Sequence, residues 1–264
     1  MQARIVLIYL AIICKGDWNL IKDCLVKKQC PDGSPFPEAE VMEKEVQGVK
    51  AITLLDEEYP QALKISYMPP LVLFYEGNLE LLKNDYKKNL AVIGSRKLLV
   101  YTDDGIHRLL EPLISKYTIV SGLALGTDAI AHTSALDYNG QTIAVIASGL
   151  DVCYPACNKP IVERILKRGG LILSEYPLGT QPAPTQFLMR NRIIVGLCAK
   201  VLIVEIRERS GTFAAVQMAI SGGRDVYVCP TTLQGTLPVL ELYNDKLIAQ
   251  GALIYSEPSD LDDE

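Results

Sequence analysis

Histidine is scarce in this 264-residue chain, with two in all, and the seven cysteines contain no repeated C-x-x-C pair. Too few ligands at metal spacing remain for a structural zinc site around Cys153 and Cys157. An odd, scattered set of thiols is not a paired disulfide framework and fits a reducing, cytoplasmic compartment. The apolar run from Ile5 to Cys14 is ten residues long, while a bilayer needs roughly 20. Lys15, Asp17 and Trp18 follow it at once, so it reads as a buried N-terminal helix and not as a membrane anchor or a signal core. Internal repeats, low-complexity tracts and heptads are lacking. Also missing are the G-x-G-x-x-G dinucleotide fingerprint, the G-x-x-x-x-G-K-[ST] phosphate loop and the G-x-S-x-G nucleophile elbow, which removes the main support for bound NAD, P-loop ATP or serine hydrolysis. No cofactor is expected.

What is present is a globular composition, 49% hydrophobic and 22% charged, with length for one or two domains. The formal net charge of −5 argues at first against a nucleic-acid partner. The distribution of charge removes that objection. Seven acids fall within residues 38–58 and seven within 241–264, whereas residues 156–210 carry nine basic side chains against four acidic ones. Because salt screens exposed charges beyond roughly 8 Å, a locally basic groove can hold a polyanion whatever the global sign.

Residues 1–45 read as a small helical subdomain closed by the break Pro31-Asp32-Gly33-Ser34-Pro35-Phe36-Pro37. Residues 51–79 hold two short strand-like runs flanking Pro69-Pro70. From Leu90 onward, apolar runs alternate with amphipathic helical stretches: Leu90–Ile93, Thr118–Val120, Thr142–Ile146, Leu171–Leu173, Val201–Val204, Val226–Cys229 and Leu253–Tyr255. Continuous apolar runs separated by helix-length segments mean strands buried on both faces. The expected fold is therefore α/β, a Rossmann-like, doubly wound and mostly parallel sheet over residues 46–255, with an acidic tail at 256–264 that should fray.

In such a sheet, ligands bind beyond the carboxyl ends of the strands. The residues expected there are Gly94-Ser95-Arg96-Lys97, then Ser121 and Gly122 through Gly126, then Ser148-Gly149-Leu150-Asp151. Ser174-Glu175-Tyr176 leads on to Phe187 and Arg190-Asn191-Arg192, and Arg209-Ser210-Gly211-Thr212 opens a helix. Small residues let the main chain approach a ligand, helix N-termini offer N–H groups to phosphate, and arginine donates a planar fork. Five such turns with Arg96, Lys97, Arg190, Arg192 and Arg209 point to a phosphate-binding cleft. Asp128 and His132, one helical turn apart, are better explained as a capping acid and a packed ring than as a reacting pair. Asp151, Glu175 and Glu205 each stand alone after a strand, where one carboxylate commonly organises a turn or an arginine.

The ordered series AVIGSRK, IVSGLALGTDAIAH, TIAVIASGLDVCYP, LILSEYPLGT, FLMRNRIIVGL and RSGT resembles the DNA-processing protein A family (DprA, also called Smf) across roughly residues 50–255. The resemblance implies a protein that binds single-stranded DNA without cutting it, forms a homodimer, and helps load the recombinase RecA during natural transformation, with single-stranded-DNA-binding protein as a further partner. It implies that Gly94, Ser95 and Arg96 hold a backbone phosphate, with Lys97 beside them. Ser121, Gly122 and Gly126 would line the same pocket, Arg190, Asn191 and Arg192 would complete it together with Ser210, Gly211 and Thr212, and Phe187 would stack on a base. This chain departs from the pattern at Ala156, where a basic residue is usual and Lys159 is expected to substitute. It departs again at Pro184, in a stretch without lysine, and at Leu188. No winged-helix module is expected after residue 255. The rival is a Lonely-Guy-type nucleotide phosphoribohydrolase, whose loop carries a glutamate where this chain has alanine beyond Gly211-Thr212, so no catalytic residue is assigned.

Overall fold

The computed structural model describes residues 2–98, 101–206, 211–230 and 243–262. Among the described residues, ten α-helices are α1 (Gln2–Ile13), α2 (Trp18–Lys27), α3 (Ala39–Val46), α4 (Gln61–Lys64), α5 (Asp103–Ile114), α6 (Thr127–Asp137), α7 (Lys159–Lys167), α8 (Pro184–Gly196), α9 (Gly211–Ser221) and α10 (Tyr243–Ala249). Nine strands, β1 (Ala51–Thr53), β2 (Val72–Gly77), β3 (Asn89–Ile93), β4 (Thr118–Ser121), β5 (Thr142–Ile146), β6 (Leu171–Ser174), β7 (Lys200–Ile203), β8 (Asp225–Val228) and β9 (Leu253–Ile254), form one sheet. Their order is β1-β2-β6-β5-β4-β3-β7-β8-β9.

From β6 to β9 every pairing is parallel. The chain winds outward from β3 to β6 in one direction, then returns past β3 to build β7, β8 and β9 in the other. That reversal is the Rossmann-like, doubly wound topology, and its crevice lies at the carboxyl ends of β3 and β7.

Every residue of β3, β4, β5, β6 and β7 is buried, which is why these runs carry no polar alternation. Successive side chains go to opposite faces. Ala91, Ile93, Val201 and Ile203 meet Ile193 and Ile194 of α8 and Val216 of α9. Leu90, Val92, Leu202 and Val204 meet Ile106 and Leu110 of α5 and Ala131 of α6. The result is three layers, helix on sheet on helix.

β1 and β2 extend the sheet antiparallel at the β6 edge. Helices α1 and α2, with Cys14 in the turn between them, lay Leu7, Ile8, Leu10, Cys14 and Ile21 against Ala51, Val72 and Phe74 of this extension. The first helix is thus a core element, and no described helix is long and apolar enough to cross a membrane.

The tail corrects an expectation. Residues 258–261 form a short 3-10 turn, and Leu261 is fully buried in the cluster under α5. The Tyr117 hydroxyl donates to the Leu261 carbonyl at 2.6 Å, the Lys200 ammonium donates to the same oxygen, and Lys116 pairs with Asp262 at 2.7 Å. A buried leucine and two satisfied polar groups outweigh the chain-end entropy that should have frayed it. Lys200 opens β7 and Tyr117 precedes β4, so the described tail sits at the end of the sheet opposite the crevice. Leu261→Ala is expected to lower the unfolding free energy by about 2 kcal/mol. Urea denaturation measures this, and an unchanged midpoint would mean the tail is undocked in solution.

Candidate functional site

The loop after β3 begins at Gly94 and is held by its own side chains. The Ser95 hydroxyl donates to the Lys97 carbonyl at 2.7 Å and accepts from the Lys97 N–H at 3.3 Å. Arg96 and Lys97 are exposed beyond it. The start of α6 is pressed onto this loop: Thr127 N–H donates to the Ser95 carbonyl at 3.2 Å. Gly126, at φ +70°, lies so close that a Cβ there would stand 2.5 Å from the Ser95 carbonyl oxygen. A glycine is required for both reasons.

Helix α8 supplies the floor and one wall. Its first turn is capped by Gln186, whose side-chain oxygen accepts from the Ala183 N–H at 2.6 Å, with Pro184 at the first helical position where no donor is needed. Phe187, Arg190 and Asn191 then fall on one face by their three- and four-residue spacing. Arg190 is 3% exposed and donates from Nη1 to the Val145 carbonyl at 2.5 Å. Its guanidinium lies against Gly122, where a Cβ would stand 1.8 Å from Nη1. Nε of Arg190 has no protein partner among the described residues. Burial, opposed by Asp128 and reinforced by Arg96, brings the Arg190 pKa down to about 10, so it remains a cation at neutral pH. The Asn191 amide donates to the Gly211 carbonyl at 3.2 Å, and the Thr212 hydroxyl donates to the Gly94 carbonyl at 3.0 Å. These bonds tie the middle of α8 to the start of α9, and the start of α9 to the end of β3.

Over this floor opens a cleft of about 690 Å³ whose lining includes Gly94, Ser95, Arg96, Lys97, Arg190 and Thr212. Phe187 forms a wall, with the Arg96 guanidinium 5.0 Å from its ring centre on one side and the Tyr154 ring 5.6 Å away on another, tilted by 50°. The site thus joins three positive side chains to an aromatic pair in a shared trough. Arginine over an aromatic face is a favourable contact, and it holds Arg96 in the lining of the cleft.

Gly94, Ser95, Arg96, Lys97, Phe187, Arg190, Asn191, Gly211 and Thr212 all line the cleft, and Gly122 borders a recess that shares Arg96, Tyr154 and Phe187 with it. Four expected members do other things. Arg192, two residues after Arg190, points away from that helical face: it is 2% exposed and holds both Glu175 oxygens from Nη2, at 2.6 and 2.9 Å. The Ser121 hydroxyl is buried and donates to the Val92 carbonyl at 2.6 Å, fastening β4 to β3. Gly126 serves loop contact. Lys159 is exposed at the start of α7 and does not line the cleft. Ser210, like Arg209, lies outside the described residues.

Asp151 accepts from the Gly179 N–H at 2.8 Å and Glu175 binds Arg192, as expected of isolated carboxylates after strands. His132 is fully buried. Its Nδ1 lies 2.7 Å from the Thr142 hydroxyl, and because that hydroxyl donates to the Ile119 carbonyl, the imidazole donates to it. Burial, reinforced by Arg190, drives the His132 pKa down to about 3, so the ring is neutral. Two cleft residues were missed by sequence reasoning: Tyr154, signalled by the Tyr-Pro pair after β5, and Asp128, which lines the cleft. Asp128 is not the expected capping acid, because Gly126 occupies the cap position of α6 without a side-chain bond and the Asp128 carboxylate accepts from the Ala124 N–H at 3.4 Å.

Comparison with known proteins identifies the family to which this fold belongs. The family model of DNA recombination-mediator protein A matches residues 50–264. The DNA processing protein DprA of Streptococcus pneumoniae is 40% identical over 220 residues, which cover 83% of this chain and 76% of that protein. Protein Smf of Escherichia coli is 37% identical over 206 residues, 78% of this chain and 54% of its own, so the chain spans about half the length of that relative. The X-ray structure of the pneumococcal DprA superimposes with a TM-score of 0.75 at 39% identity, over 85% of this chain and 77% of that one. DNA processing protein A of Helicobacter pylori, whose structure addresses its single-stranded DNA binding mode, superimposes with a TM-score of 0.67 at 30% identity, over 78% and 91% of the two chains. Sheet order, the ordered loop motifs and these matches lead to one assignment: the chain belongs to the DNA recombination-mediator protein A (DprA) family.

Proposed function

We propose that the cleft binds single-stranded DNA without chemical conversion, gripping phosphates with Arg96, Lys97, Arg190 and main-chain donors while bases stack on Phe187 and Tyr154. The observation that carries this reading is the Arg96–Phe187–Tyr154 cluster standing over the buried Arg190 at the crevice between β3 and β7. Phosphates alone would suit either a duplex or a single strand. A half-buried aromatic wall favours the single strand, because only unstacked bases present a free face; each such stack is worth about 1–3 kcal/mol. Stacking and phosphate contacts are open to every base, so binding is expected to tolerate sequence. In the cell we place this activity in the cytoplasm, in a homodimer that delivers strands, some held by single-stranded-DNA-binding protein, to the recombinase RecA during DNA uptake. Relatives that are named DNA processing proteins support the involvement with DNA in this placement.

Fluorescence anisotropy with an unlabelled-competitor duplex tests the reading. The single strand should bind preferentially and stay uncut. Arg96→Ala should weaken binding by about tenfold or more, the worth of one charge-assisted phosphate contact. It should also flatten the dependence of log K on log salt by about 0.7. Unchanged affinity and slope would remove the cleft assignment.

A further inference from the structure

We propose, resting on the single-strand reading of the cleft, that a phosphate entering over Arg190 brings a proton with it, which settles on the Asp128 carboxylate beneath. A carboxylate is an odd element in an anion site, yet Asp128 is a lining residue of this cleft, 7% exposed, at the start of α6 and facing the Arg190 guanidinium. The two are not in contact as an ion pair: Nη1 of Arg190 donates to the Val145 carbonyl, and its Nε has no protein partner among the described residues. Asp128 in turn has the Ala124 N–H, at a long 3.4 Å, as its described main-chain donor, with the Ser121 side chain beside it. The cleft floor therefore holds an incompletely satisfied cation beside an incompletely satisfied anion, both nearly dry.

Groups facing Asp128 from each neighbouring element are Ser121 at the end of β4, the Ala124 N–H before α6, Arg190 of α8 and Arg96 after β3. Burial holds its carboxyl above the usual carboxylate range, against the pull of Arg190. A phosphate adds negative charge and excludes more water, and both effects favour the neutral acid further. When the strand binds, one proton moves from solvent to an Asp128 oxygen and no covalent bond to phosphorus changes. The neutral acid can then donate its O–H toward the anion instead of repelling it. The sign follows from linkage. The bound state holds more protons than the free state, so affinity rises as pH falls and is lost as pH climbs through the interval between the free and bound pKa values. His132, one turn along α6, stays neutral throughout that interval. His107 is bonded to Ser134 of α6 and is not among the groups facing Asp128.

The experiment uses the full chain and an oligothymidylate without a terminal phosphate, at constant ionic strength. Between about pH 8 and pH 5.5 the affinity should rise roughly fivefold or more. Asp128→Asn should bind at pH 8 as tightly as the unaltered protein does at the lower pH, with a flat profile. Titration calorimetry of the unaltered protein in two buffers of different ionisation enthalpy measures proton uptake directly and needs no variant. Heat that varies with buffer supports the proposal. Buffer-independent heat, or a pH profile unchanged in Asp128→Asn, overturns it even where Arg96→Ala still weakens binding. A protein that binds no single strand, or binds it regardless of Arg96, overturns the cleft reading and this proposal with it.

Discussion

Arg192→Met is expected to destabilise the fold by about 3–5 kcal/mol, the cost of leaving a buried partner charge uncompensated. Arg192 and Glu175 are each almost completely buried, and their bidentate contact is at hydrogen-bond distance. Buried Tyr59 and Tyr176 stand close enough to feel both charges, so the pair sits in a largely apolar, enclosed surrounding. Burial already raises the Glu175 pKa despite the arginine. Without Arg192 it rises further, and the folded state then binds its proton more tightly than the unfolded chain does. Stability in the variant should therefore be recovered below the unfolded carboxyl pKa and lost as pH rises through the folded one. The double variant Arg192→Met with Glu175→Leu should regain most of the loss, because two apolar groups of similar shape leave nothing unpaired. Urea denaturation of the two proteins at two pH values measures this. A single variant no less stable than the double would show that the pair is not coupled.

That pair also marks where the sequence misleads. Three basic or polar side chains at 190, 191 and 192 look like one cluster, but residues two apart on a helix face opposite sides, so Arg192 enters the core while Arg190 floors the cleft. The helical period was available and, applied to α8, would have separated them. The seven parallel strands were readable to within a residue, the five from β3 to β7 because burial on both faces leaves an unmistakable apolar run, and the outer β8 and β9 from short apolar runs although β9 is exposed. β2 was not assignable to the β6 edge, since an antiparallel neighbour distant in sequence leaves no local trace in either segment. The docking of Leu261 was hidden for a related reason: one leucine among five acids carries no periodicity, and its carbonyl's partners, Tyr117 and Lys200, are defined only by the folded sheet. Ser121 illustrates the limit of reading loops by composition, because a hydroxyl beside a phosphate site and a hydroxyl spent on the Val92 carbonyl have the same sequence.

Gly122→Ala isolates the role of Arg190 without touching a charged residue. The added methyl would overlap Nη1 and Cζ of the guanidinium, at 1.8 and 2.3 Å, so that group must leave the Val145 carbonyl. What it meets is the far end of a flexible side chain, which can swing aside, whereas at Gly126 the same methyl would meet main chain of the β3 loop. The fold should therefore survive at Gly122, losing about 1 kcal/mol for the Arg190 hydrogen bond. Binding should suffer more. A displaced Arg190 removes a charge-assisted contact worth about 1.5–3 kcal/mol, or roughly ten- to hundredfold in affinity for a single strand. It also leaves Asp128 facing the incoming phosphate without its cation, so the loss should deepen as pH rises. Anisotropy on a protein whose urea midpoint is nearly unchanged makes the distinction, and undiminished affinity there would remove Arg190 from the binding surface.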